Sequence, residues 1–333
     1  MNKNEEKSVL NLDGFAGDFR YLLSWKRNRK MSKISICVLT YNPVWEKLYK
    51  TLSSIITQEM IEFEIIVSDD GSNDNLFEDI KGFFEQNSFL HYKLIASNNN
   101  EGTVRNCLKA VQSSSGKYIK CLSPGDSMYT NTSLFEWVRE LKNSNYRWSF
   151  SNVMCYKVGN DNNVETLSLK AHPQNVKCYE KEYINIDICR WNYIVLKDIA
   201  VGAATLCERT LLLHYLELIK DRVIYAEDNV FRLMVFDGIY PLFFNSVGIW
   251  YEYGEGISTG NNIIWKEKLI KDWETATDIM LNRFNDFDDL QFKMKKTIQS
   301  RWYRNKYISL FRVKGKLLFM IKKRLFPRMT MRY

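Results

Sequence analysis

Residues 65–72 read IIVSDDGS, a β-branched apolar run that ends in an abrupt polar turn. A strand buried on both faces is written this way, as near-continuous Val and Ile rather than as alternation. Working outward, the same syntax repeats. Residues 34–40, ISICVLT, end in Tyr41-Asn42-Pro43, with Pro43 suited to the first turn of a helix reaching about Gln58. Phe63 to Val67 reads as strand, Asn75 to Phe84 as helix, Tyr92 to Ala96 as strand, Thr103 to Ser113 as helix and Lys117 to Leu122 as strand. Strands alternating with helices across short loops predict an α/β fold with a mixed, mostly parallel sheet flanked by helices on both faces. Ligands in such sheets bind beyond the carboxyl ends of the strands. Those ends carry Thr40 with Tyr41, Asp69 with Asp70, and Ser123 to Asp126.

Composition removes several other classes. The chain has 333 residues, 45% hydrophobic, enough to bury a large core as one large or two modest domains. Seven cysteines stand singly with no CxxC pair, which reads as reduced core thiols rather than a disulfide or zinc framework. His91, His172 and His214 show no ligand spacing. Met1 to Lys30 lacks the apolar core of a signal peptide, and Ile239 to Tyr251, broken by Pro241, Asn245 and Ser246, is too short to span a bilayer.

An Asp-Asp-Gly-Ser turn alone is an ordinary reversal. Order and spacing carry more: VLTYN at 38–42, IIVSDDGS, NNNEGTVRN at 98–106 and GKYIKCLSPGD at 116–126 all fall at strand ends or loop-to-helix junctions. This stretch, Lys33 to Thr132, resembles the inverting nucleotide-sugar glycosyltransferases of family 2, which have the GT-A fold. The resemblance continues more loosely through Gly202 to Asn262. It implies that Thr40 and Tyr41 cradle a uracil ring and that Asp70 accepts from the base. It also matches Asn100, Gly102, Arg105 and Asn106 to the family's Asn-x-Gly and Arg-Asn segment, brings Arg105 to the diphosphate, and places Ser123 on the donor nucleotide.

The family usually carries an Asp-x-Asp turn after the fourth strand, holding a divalent metal and the ribose. Here the turn is Ser123-Pro124-Gly125-Asp126, so Asp126 is the sole ligand of the motif for Mg²⁺ or Mn²⁺. One carboxylate can hold such an ion when substrate phosphates and water complete its shell, with weaker affinity expected.

In the second half, Gly202-Ala203-Ala204-Thr205 precedes an expected helix from Glu208 to Lys220 and resembles the floor of the family's acceptor pocket. Ala226-Glu227-Asp228-Asn229 opens an apolar helix. Acids there complement a helix dipole and need no other role. By resemblance, however, they form the Glu-Asp motif, with Asp228 as general base beside Glu227. The Gly-rich run Tyr251 to Gly260 resembles a family loop at the site mouth and is assigned no chemistry.

From Gln291 to Tyr333 there are fourteen Lys and Arg and no Asp or Glu, so with +8 overall the remainder sums to −6. An expected helix, Lys266 to Leu290, carries Leu269, Trp273, Met280, Phe284 and Phe287. Beyond it, Tyr307, Leu310, Phe311, Leu318, Ile321 and Leu325 form an apolar stripe beside the cations, a pattern that suits an anionic membrane surface; no nucleic-acid module accompanies it. The expected organisation is an N-terminal extension at 1–32, a nucleotide-sugar half at 33–132, an acceptor half at 133–264 and a helical basic region at 265–333. The expected protein is cytoplasmic and peripheral on the inner face of the plasma membrane. Its partners are a nucleotide-sugar donor, most simply UDP-linked, and a glycan or lipid-linked saccharide acceptor. The rival is a degenerate GT-A fold serving as a sugar-binding or scaffolding subunit. A nucleotidyltransferase is disfavoured because no Gly-rich, Lys-bearing loop follows the first strand.

Overall fold

Every residue of β1, Ile34–Thr40, is buried, which requires cover on both faces of the sheet. The computed structural model describes residues 33–159, 163–167, 173, 175–180, 185–254, 256, 259–283 and 289–300. The expected N-terminal extension and the basic stretch after residue 300 lie outside them.

Helix α1, Trp45–Ile56, turns Leu48, Thr51, Leu52 and Ile55 inward at helical spacing. Its first residue comes two after Pro43, so the proline precedes the helix instead of opening its first turn. Then follow β2 (Phe63–Asp69), α2 (Phe77–Gln86), β3 (Tyr92–Ala96), α3 (Thr103–Ser113) and β4 (Tyr118–Leu122). Helix α2 starts later than Asn75 because the Asp74 and Asn75 side chains accept from the Leu76 and Phe77 amides, at 3.0 and 3.1 Å. Such Asx turns compete with helix at a helix start.

Strands β1, β2, β3 and β4 pair in parallel, so their carboxyl ends share one rim. The second half adds β5 (Ser127–Met128), α4 (Ser133–Lys142), β6 (Trp148–Val158), β7 (Val164–Leu167), α5 (Ile186–Ile194), β8 (Thr205–Glu208), α6 (Arg209–Ile219), α7 (Asn229–Phe236), β9 (Leu242–Glu252), α8 (Ile263–Leu281) and α9 (Asp289–Gln299). The nine-stranded sheet runs β3-β2-β1-β4-β8-β6-β9-β5, with β7 on β6. Antiparallel β8 joins β4 to β6, and β6 pairs parallel with β9. The apolar run around 239–251 is thus the β9 strand.

Two expected helices are revised. Thr205–Glu208 is strand, so the helix expected from Glu208 starts at Arg209. The single helix expected over Lys266 to Leu290 is α8 followed by α9; Phe284 and Phe287 lie outside the described residues. The buried positions of α8 are Asp272, Ala276, Ile279 and Met280; of the expected apolar positions Met280 is buried, while Leu269 and Trp273 are half-buried. No helix among the described residues is long and apolar enough to cross a membrane. All seven cysteines are free thiols. The core between β1, β4 and their covering helices holds Cys37, Val104, Cys107, Ile119, Leu216 and Phe231.

Candidate active site

Parallel register places Thr40 beside Asp69 at the carboxyl rim. The Thr40 hydroxyl donates to Asp69 Oδ2 at 2.9 Å, and Asp69 also accepts from the Ser72 amide and hydroxyl at 2.8 and 2.6 Å. Asp69 therefore closes the DDGS turn. Asp70 points the other way: Oδ1 accepts from the Glu101 amide at 2.9 Å and Oδ2 from the Gly102 amide at 2.8 Å. Burial nonetheless lifts its pKa above the ordinary aspartate value, against the pull of the two amides. Tyr41 leaves half of its surface exposed beside this turn.

Asn106 ties α3 to β2, donating to Ser68 O at 2.9 Å and accepting from the Ser68 hydroxyl at 2.5 Å. Arg105 sends its guanidinium to Asp221 at 2.7 Å on the surface, and Asn100 and Ser123 are exposed.

Asp126 is buried, and its Oδ1 accepts from the Glu252 amide at 3.3 Å. Burial pushes its carboxyl up to about 7. Gly125, at φ +105, approaches the Glu252 carboxylate so closely that a Cβ would lie 2.1 Å from Oε2. The room where a side chain at position 125 would start is thus filled from β9, and Glu252 in turn pairs with Lys47 at 3.0 Å. Beneath lies Lys120, wholly buried, donating to the carbonyls of Ala203, Thr205 and Cys121 and held down to about 8 by desolvation. Among the described residues no three His, Cys, Asp or Glu side chains converge on a metal position. Asp126 with Glu252 alongside fits a divalent cation that brings the rest of its shell as diphosphate and water, and does not fit one held by protein alone.

Glu227 and Asp228 precede α7. Asp228 occupies the N-cap position, yet its side chain makes no capping bond, so the carboxylate is not consumed by the helix end. A Cβ at Gly202 would stand 3.4 Å from Asp228 Cβ and 3.5 Å from Glu227 Oε1, so the small-residue segment faces both acids. Burial, then the neighbouring Asp228 charge, raises Glu227 to about 8. Burial also raises Asp228, while Arg232 one turn along pulls it back down. Glu227 lines a small cavity with Cys107, Cys121, Gly202, Thr205 and Phe231.

Contacts link the three acidic turns. Gly102, bound to Asp70, is followed by Val104, whose amide donates to Ile224 O at 3.0 Å. Ile224 leads into Glu227 and Asp228, these face Gly202, and the Ala203 carbonyl accepts from Lys120, whose charge acts on Asp126. Glu252, Lys120, Arg232 and Asp272 complete the surroundings without having been foreseen. A lysine inside the apolar strand Tyr118–Leu122 and an arginine inside the apolar helix Asn229–Phe236 were visible signals. Glu252 lay within the Tyr251–Gly260 run that resembles a loop at the site mouth but was not singled out there, and Asp272 carried no signal.

A family model described as "Glycosyl transferase family 2" matches residues 35–198. The chain is 34% identical over 102 residues to an uncharacterized glycosyltransferase, MG060 homolog, of Mycoplasma pneumoniae, covering 30% of this chain and 34% of that protein. It is 29% identical over 123 residues to the poly-beta-1,6-N-acetyl-D-glucosamine synthase of Staphylococcus epidermidis, covering 37% and 29%. It is 27% identical over 130 residues to the GalNAc(5)-diNAcBac-PP-undecaprenol beta-1,3-glucosyltransferase of Campylobacter jejuni, covering 39% and 41%. The chain thus spans roughly a third of the length of these relatives. Among solved structures, the mannosyltransferase PcManGT from Pyrobaculum calidifontis, in complex with GDP-Man and Mn²⁺, aligns with TM-score 0.56 at 13% identity over 94% of this chain and 89% of that one. S. aureus TarS 1-349 in complex with UDP aligns with TM-score 0.52 at 16% identity over 85% and 74%. At these identities the likeness is one of fold.

Proposed function

Residues 35–198 form a glycosyl transferase family 2 domain in a GT-A fold, and on that premise we propose that the chain moves a sugar from a nucleotide donor to a hydroxyl of a glycan or lipid-linked saccharide, inverting the anomeric carbon. The observation that carries this reading is the Glu227–Asp228 turn, with an uncapped carboxylate set against the Gly202 segment and linked by contacts to Asp70 and Asp126.

Asp228 is the general base. Its carboxylate takes the proton of the acceptor hydroxyl, and the freed oxygen pair bonds to C1 of the sugar. The C1–O bond to the diphosphate breaks, and its electron pair leaves with the nucleotide. Glu227, raised to about 8, keeps a proton at neutral pH; burial raises Asp228 as well, with the Arg232 charge opposing that rise. Thr40, Tyr41, Asp70, Asn100, Arg105 and Ser123 form the donor side, with a UDP-linked donor favoured by the Thr40-Tyr41 and Asp70 resemblance. For Arg105 to meet a diphosphate it must leave Asp221, an exchange of one anion for another that suits guanidinium. Asp126, with Glu252 nearby, would hold Mg²⁺ or Mn²⁺. A cation there supplies charge neutralisation for the departing diphosphate.

The rival reading, a catalytically degenerate sugar-binding subunit, draws on the SPGD turn, where Glu252 fills the space at Gly125. Hydrolysis of UDP-, GDP-, TDP- and CMP-linked sugars separates the two. Wild type is expected to hydrolyse a UDP-sugar and Asp228→Asn to lose that activity while still binding nucleotide; absence of turnover with every donor supports the rival.

The basic C-terminal region docks the protein on anionic lipid at the inner face of the plasma membrane. Helix α9 carries exposed Lys293 and Lys296 but buries Met294 and Ile298, so the test leaves it in place. A chain ending at Ser300 should lose most of its co-sedimentation with anionic liposomes. Equal sedimentation of both chains removes the tail from this role.

A further inference from the structure

Helix α8 and the Glu227–Asp228 turn both follow the matched residues 35–198, and two consecutive residues of α8 grip that turn from both sides. Asp272 is buried, and its carboxylate accepts from three successive backbone amides: Ile224 at 3.2 Å, Tyr225 at 2.6 Å and Ala226 at 3.0 Å. Among the described residues no cation pairs with it; the amides alone compensate its charge. An aspartate is a costly way merely to pack a helix, because a buried carboxylate is tolerated only where geometry satisfies it. What this one secures is the path of the backbone immediately before Glu227.

Trp273 holds the other side. Its ring lies 3.3 Å from the Arg232 guanidinium, and its carbonyl accepts from Arg232 Nη1 at 3.4 Å. Thr277 on the same helix accepts from Nη2 at 3.0 Å, while Asn229 Oδ1 accepts from Nη1 at 2.6 Å. Arg232 is buried, and its Nε has no hydrogen-bond partner, so its position is set largely by α8. It stands one helical turn after Asp228, near enough for its charge to act on that carboxylate.

We propose that Asp272 and Trp273 are positioning residues for the base: Asp272 fixes the turn through the amides of residues 224–226, and Trp273 fixes the Arg232 cation one helical turn after Asp228. This rests on Asp228 being the base. The ionisable groups acting on Asp228 are Glu227 before it, Arg232 on α7, Asp272 on α8 and Tyr193 on α5.

The test measures kcat, donor KM and the pH profile of kcat/KM for wild type, Asp228→Asn, Asp272→Asn, Arg232→Met and Arg232→Lys on whichever nucleotide sugar the donor panel shows to be turned over. Misplacing a reacting group by about 1 Å lowers a rate about a hundredfold, so Asp272→Asn should lose about ten- to a hundredfold in kcat with donor KM changed by less than about twofold. The acid limb supplies a signature that a purely structural role lacks. Removing the Asp272 anion moves the limb to lower pH, and removing the Arg232 cation moves it to higher pH. Arg232→Lys keeps the charge but not the fork, and should lower kcat with the limb in place; it also decides the matter should Asp272→Asn not fold. Turnover by Asp228→Asn at the wild-type rate rejects the base assignment itself. An inactive Asp228→Asn beside unchanged kcat and limbs in the Asp272 and Arg232 variants overturns only the positioning role.

Discussion

Asp70 and Asp228 both belong to acidic turns, linked through the hydrogen bond from the Val104 amide to Ile224 O, yet they are held in different ways. Asp70 is held by a loop about thirty residues away, through the Glu101 and Gly102 amides, and both of its oxygens are engaged. Asp228 makes no capping bond, and what restrains it comes from α8, more than forty residues on, acting through the backbone at 224–226 and through Arg232. The donor rim is therefore a satisfied network in which a carboxylate organises a loop. The Glu-Asp turn is a carboxylate kept available, with the surrounding helices carrying the constraint. Burial raises both carboxyls, but at Asp70 two amides oppose the rise and occupy both oxygens, whereas at Asp228, which makes no capping bond, the chief opposition is the Arg232 charge.

The largest expected effect tests that contrast at its catalytic end. Asp228→Asn should lower turnover about 10²- to 10⁴-fold, the usual contribution of a general base, while nucleotide affinity and Tm stay near wild type. A parallel loss of nucleotide binding would mean that the two regions are not separable. At the donor end, Asp70→Ala leaves two amides without their acceptor and should destabilise the fold by about 2–4 kcal/mol, read from denaturant unfolding, with nucleotide affinity falling alongside. A change under about 0.5 kcal/mol, the level of an ordinary surface substitution, would show that the loop does not depend on this carboxylate.

The smallest effect concerns pH. Glu227 has a folded pKa near 8, raised from the ordinary 4.5, so the native state holds this proton more tightly than the unfolded chain. The resulting stability is fully present below about pH 4.5 and is lost as pH rises to about 8. Glu227→Gln should therefore flatten the fall in Tm between those values, gaining a few degrees at pH 8 and little at pH 4. Parallel melting curves for the two proteins across that range would place the titration elsewhere.

Much of the first half was legible because its signals are local. Apolar β-branched runs, Asp-rich turns and the order of four motifs located β1 to β4 closely, and Thr103–Ser113 and Tyr92–Ala96 match their expected spans. Boundaries moved where side chains compete with the backbone, as Asp74 and Asn75 do ahead of α2. In the second half the β8 strand was hidden, since Thr205–Glu208 shows no run long enough to separate it from the following helix. Its identity as strand comes from pairing with β4 and β6 on either side.

The order of apolar runs and acidic turns by itself determined a parallel α/β core with carboxylates at the strand ends, because side-chain periodicity and turn chemistry act over a few residues. Only the tertiary structure decided which carboxylates are occupied and which are open: that Glu252 fills the space beside Gly125, that Lys120 lies beneath Asp126, and that Asp272 and Trp273 brace the turn before α7. Those assignments depend on desolvation and on hydrogen bonds between groups far apart in the chain, and no local pattern encodes which of them meet.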